Sequence, residues 1–110
     1  DVDPEDVDYS PAVSSFEKAI SFNPAATEAY YLLSVIWNKS AEFDKAIENA
    51  KKALESETDA EKIATINYEL GIGYNGVAEY DLACEAFNKA MVGPIAEKAT
   101  AKKEKVPGCQ

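Results

Sequence analysis

No histidine occurs anywhere in this 110-residue chain. Its absence removes the commonest general base, the commonest metal ligand and the usual partner of a nucleophilic serine or cysteine. Cysteine is nearly as scarce, and two are too few for a structural zinc site that has no histidine to complete it. Long apolar runs are missing too. The longest, Ala29 to Trp37, is nine residues with Ser34 inside it, about half of the roughly 20 needed to cross a bilayer. Basic residues are outnumbered eleven to twenty, and a net charge of −9 is repelled by phosphate backbones. These absences argue against an enzyme, a bound metal or cofactor, membrane insertion and a nucleic-acid partner. The chain begins Asp-Val-Asp without methionine or a charged-then-apolar leader, which reads as a processed product or an excised piece.

What the chain does have is an echo. Tyr9, Ala12 and Ala19 recur 34 residues later as Phe43, Ala46 and Ala53, and again 37 residues later as Tyr80, Ala83 and Ala90. A helical unit of that period cannot bury its apolar face alone, so it stacks on its neighbours and leaves a surface that can bind. Length, 46% hydrophobic residues and 28% charged residues suit one small packed domain.

Between these anchors the units agree in detail. The middle one reads Tyr30-x-x-Leu33-Ser34-x-x-Trp37, then Ala46-x-x-x-Ala50 and Ala53. The last reads Asn67-x-x-Leu70-Gly71-x-x-Tyr74, then Ala83-x-x-x-Phe87 and Ala90, while the first keeps only Ala12, Phe16, Ala19 and Pro24. This pattern resembles the tetratricopeptide repeat, whose aromatic, Leu-Gly, Tyr, Ala, Phe and Pro positions span 34 residues. Ser34 stands where glycine is usual, Asn67 where a large aromatic is usual, and no proline closes the middle unit. The resemblance implies an all-α fold, a right-handed helical-hairpin solenoid with a C-terminal capping helix. It divides the chain into an acidic frayed terminus (1–8), repeats over 9–93 (a half repeat 9–24, then 27–60 and 64–93), and a capping helix with its tail (94–110).

Punctuation predicts six helices and no strands. Ser10 before Pro11 reads as an N-cap opening a helix to about Phe22, and Asn23-Pro24 ends it and starts a second that runs to about Ser40. Asp44, Asp59 and Asp81 then cap helices to about Ser56, Asn75 and Val92, and a last helix follows Gly93-Pro94 to Lys105. Leu33, Trp37, Leu70, Tyr74, Phe87 and Phe16 are the expected core. Glu42, Glu48, Glu55, Glu69 and Glu85 read as solvated helix faces.

Two motifs mislead. Asp1, Asp3 and Glu5 alternate as in a calcium loop, but Asp6 stands where that loop needs glycine and Ala12 where it needs glutamate. Gly71-Ile72-Gly73-Tyr74-Asn75-Gly76 matches the dinucleotide-binding spacing, yet a helical Asn-Tyr-Glu-Leu precedes it where a strand is required.

Residues four and then three apart share a helix face, and both complete units carry the same triplet: Tyr31, Val35 and Asn38, then Tyr68, Ile72 and Asn75. By resemblance these line a concave groove for a peptide or a partner helix, making the chain a protein–protein interaction module. The lysines of a carboxylate clamp are absent, since Lys39 stands alone against Gly76. The alternative is a structural module: the first repeat lacks its leading helix, so its open N-terminal end would dock to another copy, as a homo-dimer, or to the rest of a longer chain. Helix lengths allow a disulfide between Cys84 and Cys109; the competing arrangement is a semi-buried thiol and a free cysteine on a loose tail. A bridge would favour a periplasmic or secreted location over a cytoplasmic one.

Overall fold

The computed structural model describes residues 8–109. The acidic start, read above as frayed and as a false calcium loop, lies outside them apart from Asp8. Six α-helices follow in order: α1 (Ser10–Phe22), α2 (Thr27–Lys39), α3 (Phe43–Ser56), α4 (Ala60–Gly76), α5 (Tyr80–Lys89) and α6 (Ala96–Glu104), the last preceded by a 3₁₀ turn at Gly93–Ile95. No strand occurs among the described residues. Each helix packs chiefly on the next, and α2 also touches α4. Neighbour-on-neighbour packing of this kind is what a helical repeat produces.

The helix starts differ from the sequence expectation in instructive ways. Asp59 does cap α4, its carboxylate accepting from the N–H groups of Glu61 and Lys62. Asp44 and Asp81 do not cap; they sit in the first turns of α3 and α5, behind Glu42 and Glu79, whose side chains make no capping bond. There they still offset the positive end of the helix dipole. Ser10 is also inside its helix, with Tyr9 at the cap position and the Asp8 carboxylate accepting from the Ser10 N–H at 2.9 Å. The segment after Asn23 is a turn in which the Asn23 side chain accepts from the Ala25 N–H, so α2 opens at Thr27 rather than at Pro24.

Both hairpin turns are built alike. Ala41 and Ala78 take left-handed φ angles of 59° and 63°. The N–H of the next residue then reaches back to the helix, Glu42 to the Trp37 carbonyl and Glu79 to the Tyr74 carbonyl. That six-to-one bond satisfies carbonyls a helix end would otherwise leave unpaired. The echo between the middle and last units, 37 residues apart, is thus carried by backbone as well as by side chains.

The small residues do the close packing. Ala46, Ala50, Ala53, Ala83 and Ala90 are fully buried, and Leu33, Ile66, Leu70 and Phe87 fill the space they leave. One apolar cluster gathers Ala50, Ala53, Ile66, Leu70 and Ala86; a second joins Ala83, Phe87 and Ala90 to Ala99 and Val106 from the C-terminal segment. Trp37, Tyr74 and Phe16, expected in the core, are only half-buried. Trp37 faces the thinly covered α1 side with the Lys45 ammonium 4.5 Å from its ring centre, and Lys51 lies over Tyr74. No residue of α1 is buried, and Phe22 is 81% exposed.

The glycine triplet belongs to this packing. A Cβ on Gly71 would fall 2.6 Å from the Phe87 ring, and one on Gly73 would fall 2.8 Å from Ile47. Gly76 lies under the Phe43 ring. Three side chains from α3 and α5 therefore seat on α4 where it carries no side chain, and the dinucleotide spacing is a packing pattern.

Candidate functional site

Of the two matching triplets, Tyr31, Val35 and Asn38 rise from α2 and Tyr68, Ile72 and Asn75 from α4, helices that lie in contact. Their environments diverge. Tyr31 is half-buried against the first apolar cluster, and Val35 is half-buried on the same helix. Tyr68 meets Phe87 edge-on with ring centres 6.0 Å apart, and Ile72 leans on the second cluster. Asn75 is exposed at the end of α4.

Asn38 is engaged elsewhere in the protein. Its side-chain N–H₂ donates to the Glu69 carbonyl at 2.9 Å and to the Glu69 carboxylate at 3.0 Å. Its own oxygen is buried without a partner. That orientation is forced, because both atoms it faces are acceptors. Glu69, read from sequence as solvated, is 8% exposed. Burial raises its pKa above the ordinary 4.5, while the Asn38 hydrogen bond and, more weakly, Lys39, Lys102 and Lys98 act in the opposite direction.

A cavity of about 210 Å³ opens between the N-terminal halves of α2 and α4, lined by Thr27, Glu28, Tyr31, Glu57, Lys62, Thr65 and Ile66. A wider recess of about 490 Å³ shares Lys62 and Thr65 with it and runs on to Pro94, Ile95 and Lys98. Tyr31 is the one residue of the two triplets that lines either. Sequence reasoning missed Glu28 and Thr65, although the signal was present: each stands three residues before a triplet tyrosine, on the same helix face. Burial first, then the charges of Glu69 and Glu28, push the Tyr31 hydroxyl above its usual range; burial and Glu69 do the same for Tyr68.

Among the described residues no cluster of cysteine and carboxylate side chains has the arrangement to hold a metal ion. No described helix is long and apolar enough to cross a membrane. Cys84 of α5 and Cys109 are joined by a disulfide, with their Cα atoms 5.6 Å apart, which fixes the C-terminal segment to the last hairpin.

The architecture is thus all-helical, a series of packed hairpins with an adjoining recess. The chain is 28% identical over 88 residues to the Hsp70-Hsp90 organising protein of Plasmodium falciparum (isolate 3D7), an alignment covering 76% of this chain and 16% of that relative's length. No family model matches the chain, and no solved structure matches it. The distant similarity and the all-helical fold are both consistent with a tetratricopeptide-like fragment.

Proposed function

We propose that this chain is a protein–protein interaction module, a right-handed hairpin array of the tetratricopeptide kind that takes an extended peptide or a partner helix across α2 and α4. One observation carries the reading: two equivalent helices lie in contact, with a cavity under Tyr31 that continues as a recess toward Pro94. Such recesses at helix junctions are where small groups and side chains dock. The partial similarity to a protein named as an organiser of two others supports a protein partner and a non-catalytic role. Tyr31, Val35, Tyr68 and Ile72 supply apolar contact, Asn75 edges the face, and Asn38 holds the two helices in register. With two hairpins the contact area is modest, so affinity falls in the micromolar range or weaker.

Photo-cross-linkers placed at Glu28 and Thr65 should capture the partner through α2 and α4. The double variant Tyr31→Ala with Tyr68→Ala should then lose it while keeping its helicity. A partner that binds the double variant normally would refute the groove.

A second reading rests on α1. It has no buried residue, carries the exposed Phe22 at its C-terminal end and leaves Trp37 of α2 half-buried near its N-terminal half, which suits docking of a further helix or a second copy. Sedimentation at rising concentration tests it, and a strict monomer counts against self-association. The Cys84–Cys109 bridge suits an oxidising compartment.

A further inference from the structure

The cavity under Tyr31 is neither uniformly apolar nor electrically neutral. Tyr31 and Ile66 give it an aromatic and an aliphatic wall, while Glu28 and Glu57 stand at it as carboxylates against the single ammonium of Lys62. Glu57 commits one oxygen to the N–H groups of Thr58 and Asp59, and the other has no hydrogen-bond partner among the described residues. The adjoining recess adds Asp59 and Glu61 against Lys98. Counted together, four carboxylates face two ammonium groups, in a chain whose net charge is −9.

Resting on the interaction-module reading, we infer that this cavity is the anchor pocket for a lysine or arginine side chain of the partner peptide. A long basic side chain lays its methylene stem along apolar surface and keeps its charged head at a polar edge. The Tyr31 ring and Ile66 receive the stem; Glu28, the other oxygen of Glu57 and the Tyr31 hydroxyl receive the head. The size fits one side chain, since a cavity of about 150 Å³ already accepts benzene. An acidic side chain is disfavoured by the same two carboxylates, and a plain apolar one would leave them without a partner. Lys62 sets the limit on affinity because it opposes the incoming charge.

The test uses the whole ¹⁵N-labelled chain and three blocked amino-acid amides as probes: lysine, Nε-acetyl-lysine and glutamate. The lysine probe should shift the amides of Thr27, Tyr31, Thr65 and Ile66 saturably at millimolar concentration. Nε-Acetylation should weaken it roughly fivefold or more, about what one close charge pair is worth in water, and glutamate should leave these amides unmoved. Glu28→Gln and Glu57→Gln should each weaken the lysine probe, and the amide oxygen introduced by Glu57→Gln can still accept the loop hydrogen bonds. Lys62→Gln should strengthen it, a gain that damage to the fold cannot produce. Equal shifts from Nε-acetyl-lysine at the same amides would overturn the basic preference and leave the groove standing. Lysine-induced shifts confined to other surfaces, or none at all, would overturn the pocket itself. The broader interaction reading has its own failure, a partner that binds the Tyr31, Tyr68 double variant normally.

Discussion

Asn38 on α2 donates both of its side-chain N–H bonds to one residue of α4, reaching the Glu69 carbonyl and its carboxylate. The buried carboxylate and the amide therefore form a single clasp between equivalent helices of successive hairpins. Asn38→Ala should cost about 1–3 kcal/mol at neutral pH, the range for leaving buried polar groups unpaired, as read by urea denaturation.

The same clasp sets a pH dependence. Burial raises the folded-state pKa of Glu69 above the ordinary 4.5, so the folded chain favours the protonated acid. The stabilising share of protonation is complete below that ordinary value and is lost as pH rises through the raised one. Glu69→Gln should therefore match the parent in acid and be more stable at neutral pH, with the difference in Tm opening as pH climbs. A difference that is constant with pH would show that Glu69 does not titrate differently on folding.

The left-handed alanines give a prediction of opposite sense. At Ala41 and Ala78, with φ near 60°, an L side chain is disfavoured by about 1–2 kcal/mol, and glycine is the usual occupant of such a turn. Ala41→Gly and Ala78→Gly should each stabilise the chain by roughly 0.5–1 kcal/mol after the greater freedom of glycine in the unfolded chain is subtracted. Thermal melts of the single and double variants check it.

Gly71→Ala should do the reverse of what propensity dictates. An exposed helix interior gains about 1 kcal/mol from that change, but here the new methyl meets the buried Phe87 ring. A loss of about 1–3 kcal/mol is expected from overpacking. Adding Phe87→Leu should recover part of it, which a purely local helix effect would not allow.

Reduction of the Cys84–Cys109 bridge, or Cys109→Ser, should cost about 3 kcal/mol for a loop of 25 residues in the chain-entropy picture. The intact mass without reductant should be two hydrogens lighter than the reduced mass. Loss of the bridge should also weaken the contacts of Ala99 and Val106 with Phe87.

The helices are legible in the sequence because α3 and α5 each bury one row of alanines and expose charge on the other side. Leu33, Leu70 and Phe87 can be named as core because they hold the large apolar positions of the repeated pattern. Glu69 cannot, because α4 is covered by α2, α3, α5 and the C-terminal segment. A helix packed on several sides has no solvated face for a pattern argument to find. Asp44 and Asp81 look like caps in the sequence but are not, because the left-handed turn after each first helix already starts the next one, two residues earlier. For the site, matching triplets draw attention to Tyr31 and Tyr68. The cavity lies one turn nearer the helix N-termini, and the separate commitment of Asn38 to Glu69 depends on two residues 31 apart in sequence.

The bare α1 makes the molecule polar in a kinetic sense. A helix that buries no residue has little to lose on detaching, whereas α4 is held from several sides and the C-terminal segment is tied covalently to α5. Local opening in a stacked array begins where neighbour contacts are fewest. Amide protons of α1 should thus exchange with solvent first, those of α2 next, and those of α4 only when the whole chain unfolds, so that the array comes apart in one direction from its N-terminal end.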